Sequence, residues 1–314
     1  MNASRDEELV RGTRALFARA SRKSERVILP INTCASRMDQ SAPAFFCVHP
    51  ISGAAGSEYS ALARQLDPAV RFYEIQAPPK KIQQSDFGTS VTSIADYYIE
   101  ALNEFQQTGP YLLGGYSAGA IIALEIAQRL RARGREVALL VIVDEGPPNI
   151  DASLQPWSPR YLAALTRNLP GWFAHAELFR KGFLRSLGRR VSSKAITIGK
   201  AALGVRPDKS FGGGYALDHI LDLSRYPPAQ KSFIYRLYAA VVGYVPEQYP
   251  GPVVVYEANV KPLYYLPQVG LRWRKIAASA EIVGITGMHT NMMREPHVEE
   301  LALDLRKRIA EKLQ

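Results

Sequence analysis

Gly115-Tyr116-Ser117-Ala118-Gly119 sets a serine between two glycines in the pattern Gly-x-Ser-x-Gly. A serine hydroxyl becomes a useful nucleophile only when a base takes its proton and an acid orients that base. The flanks suit this chemistry. The run Tyr111–Tyr116 predicts a strand directly before the serine, and the run Ala118–Arg133 predicts a helix directly after it, stopped by Gly134. A sharp strand-to-helix turn would hold Ser117 in a strained conformation with its hydroxyl above the sheet edge, and the glycines leave room for the crowded turn. The helix N-terminus behind it aims amide donors and the positive end of its dipole at developing negative charge.

The partners of such a serine follow it in the order acid, then histidine. Of five histidines, His175, His219, His289 and His297 follow Ser117. His289 lies in Gly287-Met288-His289-Thr290, just past the apolar strand pattern Ala280–Ile285, where a base can hang at a strand's C-terminal end. His297 falls inside a predicted helix, and His175 and His219 fall in an irregular segment. His289 is therefore the expected base. For the acid, Asp144 ends the strand pattern Val137–Val143, with Glu145 expected to point elsewhere because side-chain direction alternates. Glu257, at the end of the next strand pattern, is a rival; Asp144 is favoured. An oxyanion also needs donors. Pro50 in His49-Pro50-Ile51-Ser52-Gly53 has no amide hydrogen. The backbone amides of Ile51 and Ala118 are thus the expected pair, and His49 reads as a structural loop residue.

These residues need a frame. Ala44–His49, Val70–Gln76, Tyr111–Tyr116, Val137–Val143, Pro252–Glu257 and Ala280–Ile285 read as strands. Glu58–Leu66, Ser90–Gln106, Ala118–Arg133 and Pro296–Leu313 read as helices. Strand–helix alternation predicts an α/β fold with a mostly parallel central sheet and helices on both faces. The alternation stops between about residues 150 and 245, which predicts a helical insertion on the C-terminal side of the sheet. The expected organisation is 1–41, an N-terminal helix (Leu9, Val10, Thr13, Leu16, Phe17 and Ala20 at helical spacing) and linker; 42–149, the first part of the core; 150–245, the insertion; and 246–314, the second part.

The 314 residues are 47% hydrophobic and 22% charged, which excludes a wholly disordered or collagen-like chain. No stretch approaches the ~20 apolar residues of a membrane helix. The polar N-terminus has no apolar core of a signal peptide. The expectation is a cytoplasmic protein without membrane insertion. Cys34 and Cys47 cannot form a disulfide framework or a four-thiolate metal site. The net charge is +10. Residues 152–214 hold eleven basic and two acidic groups, so that segment alone carries +9. Arg180, Lys181, Arg185, Arg189, Arg190 and Lys194 recur at spacings that put several on one helical face. The same segment is rich in aromatics: Trp157, Tyr161, Trp172, Phe173, Phe179 and Phe183 suit an apolar pocket wall. A nucleic-acid-binding module is disfavoured, because the charge sits in the insertion with no recognised binding motif.

Phe46-Cys47-Val48-His49-Pro50, the Gly115–Gly119 pentapeptide, Val143-Asp144 and Gly287-Met288-His289 resemble type I thioesterase domains of nonribosomal peptide synthetases and polyketide synthases. Tyr244-Val245-Pro246 through Tyr249-Pro250-Gly251 and Arg294-Glu295-Pro296-His297 are similar to the tail of such domains. The resemblance covers about residues 42–312 apart from the insertion. It implies an α/β-hydrolase fold with a helical lid and a Ser117–His289–Asp144 triad. It further implies a thioesterase or acyltransferase whose acyl or peptidyl substrate arrives on the phosphopantetheine of a carrier protein. No metal and no cofactor of its own is expected. Carriers of that kind are commonly acidic, which suits docking near a lid at +9. Proofreading relatives tend to carry His or Met near the nucleophile, where this chain has Tyr116 and Ala118, and this favours a terminal or transferase-like enzyme. A free-standing carboxylesterase or lipase-type hydrolase of small esters, and a shuttle moving aminoacyl or acyl groups between carriers, are the alternatives. Hydrolysis, cyclisation and transfer stay open, as does the choice between a module end and a free-standing protein.

Overall fold

Successive side chains of a strand point to opposite faces of its sheet, and in this protein both faces are covered. The computed structural model describes residues 27–37, 42–53, 58–150, 158–175, 217, 223–261 and 269–312. The elements run β1 (Ile28–Pro30), α1 (Thr33–Ser36), β2 (Ala44–Val48), α2 (Ser60–Leu66), β3 (Arg71–Ile75), α3 (Pro79–Gln83), α4 (Val91–Phe105), β4 (Tyr111–Tyr116), α5 (Ala118–Ala132), β5 (Val137–Val143), α6 (Pro159–His175), α7 (Pro228–Gly243), β6 (Tyr249–Val260), α8 (Val269–Ile276), β7 (Ala277–Met288) and α9 (His297–Glu311).

The sheet order is β1-β3-β2-β4-β5-β6-β7. Every pairing is parallel except β1 with β3. One face buries Phe46, Val48, Leu113, Leu140 and Val255 with the apolar sides of α4, α5, α7 and α8. The other buries Phe45, Cys47, Leu112, Val141 and Tyr256 with α2 and α9. This alternation explains why β2, β4 and β5 read as unbroken apolar runs, since both of their faces are dry. Helix α5 is apolar almost all round and correspondingly buried along most of its length.

Chain order reverses direction across the sheet between β2 and β4. At such a switch point the loops leaving the two strands diverge, and a crevice opens at their carboxyl ends. The loop after β2 and the turn after β4 flank that crevice, because Val48 is paired with Gly115. Chemistry expected at His49–Gly53 and at Ser117 is thereby brought to one place.

Three features depart from the sequence reading. Ile28–Pro30, inside the expected linker, forms an edge strand antiparallel to β3. Helix α7 falls within the segment read as insertion, yet Phe233, Ile234, Leu237 and Val241 are buried in the main core. β6 and β7 each run to twelve residues, longer than their apolar centres suggested. Their mutual pairing from Tyr249–Ala277 to Val260–Met288 carries residues of weak strand propensity.

Of the expected insertion, α6 packs at the carboxyl end of β6. There Gly171 approaches Val260, and Asn168 hydrogen-bonds the backbone of Lys261. Tyr161 of α6 is buried. Trp157, Phe179, Phe183, the basic run Arg180–Lys194, the side chains of Trp172 and Phe173 and the N-terminal helix expected before residue 27 lie outside the described residues. Among the described residues no helix is long and apolar enough to cross a membrane.

Candidate active site

Ser117 stands at the end of β4 with φ 55° and ψ −130°, a conformation L-residues rarely adopt. Such backbone costs roughly 1–3 kcal/mol and persists where the surroundings enforce it. Here the enforcement is steric and polar together. A Cβ on Gly115 would fall 2.2 Å from the Gly119 carbonyl oxygen, and one on Gly119 would fall 2.3 Å from that of Val48. The Ser117 amide donates to the Val143 carbonyl at 3.1 Å, which ties the elbow to the end of β5. The Ser117 hydroxyl is buried and has no hydrogen-bond partner among the described residues. Ala118 opens α5 directly behind it.

Gly119 must be bare because it lies against the carbonyls of Val48 and His49, where β2 ends. Gly119→Ala is expected to push the end of β2 outward, at a cost of roughly 1–3 kcal/mol for overpacking. Ser117 turnover should fall more than stability, since the displaced backbone leads into His49–Ile51. Thermal unfolding and kcat measured on the same variant check this. A variant with wild-type kcat would show that the spacing between β2 and α5 does not matter to the reaction.

The loop after β2 turns at once, with the Gly53 amide donating to the Pro50 carbonyl at 3.0 Å. Ile51 is buried in this turn. Phe233 of α7 packs against Gly53, and Gln230 donates to the Ser52 carbonyl at 2.9 Å. His49 is fully buried. Its Nδ1 donates to the Pro50 carbonyl at 2.6 Å, and its Nε2 therefore accepts from the Tyr98 hydroxyl at 2.6 Å. Burial pushes its pKa down to about 4. It is a neutral strut, as its loop position suggested, and both nitrogens are used.

Asp144 follows β5 with φ 48°, and its amide donates to the Tyr256 carbonyl. Its Oδ2 lies 2.9 Å from Nδ1 of His289. Its Oδ1 accepts from the Ala258 amide at 2.8 Å and from the Lys261 ammonium at 3.1 Å. Burial by itself would raise the carboxyl's pKa. The Lys261 charge, the His289 contact and the Ala258 amide more than offset this and hold the group well below the carboxylate range. An ionised carboxylate only accepts, so the proton on His289 sits at Nδ1. In the neutral ring Nε2 is then the basic nitrogen, the form needed to receive a serine proton.

His289 follows directly on β7, whose last residues bend at Gly287 with φ 96°. The phenol of Tyr116 donates to the His289 carbonyl, and the two rings lie 5.0 Å apart. The residue next to Ser117 thus holds His289 at the elbow. Burial keeps the Tyr116 phenol protonated, so it stays a donor. The rival groups are occupied elsewhere. Glu257 meets Lys261 at 3.1 Å, Glu145 accepts from the Gly146 amide, and Nδ1 of His297 lies 2.9 Å from the Thr286 hydroxyl. His219 and the side chain of His175 lie outside the described residues. The sequence reading missed Lys261 and the role of Tyr116. Neither carries a local signal, because a lysine after a strand and a tyrosine in an elbow are ordinary until their partners are known.

A family model described as the thioesterase domain matches residues 43–210, just over half of the chain. The chain belongs to the thioesterase domain family. Enterobactin synthase component F of Escherichia coli O157:H7 is 36% identical over 156 residues, covering 49% of this chain and 11% of that protein. Chondramide synthase cmdD of Chondromyces crocatus is 27% identical and covers 95% of this chain and 7% of its own length. This thioesterase-family chain therefore spans about a tenth or less of the length of the curated relatives it matches. Among solved structures, the NocB thioesterase domain in covalent complex with a fluorophosphonate nocardicin G analogue is 22% identical with a TM-score of 0.56, covering 90% of this chain and 99% of that one. The four-domain nonribosomal peptide synthetase AB3403, in its holo form bound to AMP and glycine, aligns with a TM-score of 0.59 at 21% identity, over 93% of this chain and 21% of that one. At that identity the likeness is one of fold, the α/β-hydrolase arrangement of thioesterase domains.

Proposed function

We propose that this chain is a serine thioesterase or acyltransferase of natural-product assembly. It takes an acyl or peptidyl group from the phosphopantetheine thioester of a carrier protein onto Ser117. The observation that carries the reading is the 2.9 Å contact between His289 and Asp144, held by Tyr116 beside the strained Ser117 elbow in a chain of the thioesterase family. His289 Nε2 takes the proton of Ser117 as Oγ attacks the thioester carbonyl. The amides of Ile51 and Ala118 stabilise the oxyanion. The C–S bond then breaks, and the imidazolium returns its proton to the departing thiolate. Water, a nucleophile within the acyl chain, or an external acceptor loses a proton to His289 and attacks the Ser117 ester, which frees the serine. The three fates give an acid, a ring or a transferred acyl group. The carrier reading draws support from relatives that are synthetases, such as vanchrobactin synthetase VabF of Vibrio anguillarum.

An acidic carrier approaching residues 152–214 would be steered by their +9 charge. Exposed ion pairs contribute little affinity each, but a one-signed patch raises association rate at low salt. For a carrier-bound acyl thioester, kcat/KM is expected to fall as salt rises from ~0.01 M, where the Debye length is ~30 Å, to ~0.15 M, where it is ~8 Å. The same acyl group on a short uncharged thiol should barely respond. Reversing Arg185, Arg189 and Arg190 to Glu should reproduce the loss for the carrier substrate alone. An equal salt response for both substrates would favour a small-ester hydrolase and leave the basic segment as a solubility feature. Product analysis in the same assay separates acid, ring and transferred product.

A further inference from the structure

Lys261 is the cation beside the catalytic pair, and it is also the point where helix α6 is fastened to the core. Its ammonium lies 3.1 Å from both Asp144 and Glu257, with its side chain largely buried. Its backbone is clasped on both sides by one side chain of α6. Asn168 Nδ2 donates to the Lys261 carbonyl at 3.0 Å, and the Lys261 amide donates to Asn168 Oδ1 at 2.8 Å. Asn168 is itself buried, and Gly171 one turn on sits against Val260. Asn168 thus joins α6 directly to the residue whose ammonium touches Asp144.

We propose that Lys261 is a positioning residue that couples the docking of α6 to the Asp144–His289 pair. With α6 docked, the Asn168 clasp fixes the Lys261 backbone, and the ammonium then pins Oδ1 of Asp144 so that Oδ2 faces His289. The same ammonium holds Glu257, the second carboxylate at this sheet edge. When α6 lifts, the clasp opens, the ammonium loses its fixed origin, and Asp144 keeps only the Ala258 amide on Oδ1. Two discrete arrangements of one element thus bias the site, which is what coupling requires physically. The inference rests on the Ser117–His289–Asp144 reading above.

Among the described residues, the charges at the pair are Lys261, which touches Asp144, and Glu257, which touches Lys261. Glu145, Glu58 and Arg294 act on the adjacent Tyr116 phenol. Removing the only one of these cations that touches Asp144 favours the imidazolium. The acid limb of the rate profile should then move to higher pH.

The test is the rate at which a small alkyl fluorophosphonate labels Ser117, followed by intact mass from pH 5 to 9. This probe needs no carrier. Lys261→Met should slow labelling roughly 10- to 100-fold near neutrality, by analogy with outer partners of metal-bound histidines, and the loss should shrink as pH rises. Lys261→Arg should restore the wild-type profile. Asn168→Ala should slow labelling on its own yet add nothing in the Lys261→Met background, because coupled residues are not additive. A wild-type profile for Lys261→Met, a loss equal at every pH, or additive effects of the two substitutions would each overturn the proposal. If Lys261→Met does not fold, Asn168→Ala and Lys261→Arg decide it: slowing in the first without the second supports coupling, and wild-type labelling in Asn168→Ala refutes it. Retained labelling in Ser117→Ala would instead sink the triad reading itself.

Discussion

Ser117→Ala should lose thioester turnover by roughly 10⁵–10⁶-fold while the fold stays intact, since members of a catalytic triad act as a unit. The structure makes the second half of that expectation specific. Alanine tolerates the φ of 55° no worse than serine does, so the backbone strain is unchanged. The hydroxyl that is removed is buried and has no hydrogen-bond partner among the described residues. Deleting it relieves a desolvated polar group instead of breaking a bond. The melting temperature should therefore stay level or rise. Calorimetry and a thioester assay on one preparation check both halves. A variant retaining a tenth of wild-type activity would mean that another group is the nucleophile. A large drop in melting temperature would mean that the hydroxyl has a structural partner.

Asp144→Asn should cost about 10³–10⁴-fold in kcat, the size seen when a triad acid becomes an amide. The direction follows from the donors around it. Oδ1 accepts from the Ala258 amide and the Lys261 ammonium, so the asparagine oxygen must take that place. Its NH2 group is then left facing His289. A donor there forces Nδ1 to accept and moves the ring proton to Nε2, the nitrogen that must receive the proton of Ser117. The wrong tautomer is imposed with almost no change in shape. Glu257→Gln should be mild, because Glu257 meets Lys261 and not His289. Measuring both variants in one assay ranks the two strand ends, and the reverse ranking would transfer the role of the acid to Glu257.

Much of the candidate site was legible in the sequence because the signals are local. A strand, a Gly-Ser-Gly turn and a helix in direct succession specify an elbow wherever they pack, since the glycines and the apolar runs act over a few residues. The order of acid and base, and their places just past apolar strand patterns, are equally local. Sheet-buried strands such as Val137–Val143 declare themselves because two dry faces demand an unbroken apolar run. The tertiary structure decided the rest. Whether Asp144 or Glu257 meets His289 depends on a contact across 145 positions. The phenol of Tyr116 on the His289 carbonyl spans 173 positions, and the Asn168 clasp on Lys261 spans 93. No pattern near any of these residues encodes its partner. The edge strand Ile28–Pro30 is three residues long and owes its existence to a free edge on β3. Helix α7 became core because Phe233 and its neighbours fill space beside the His49–Gly53 loop, a space that exists only once the sheet has formed. Local chemistry picked out the candidate groups, and long-range packing chose which of them touch.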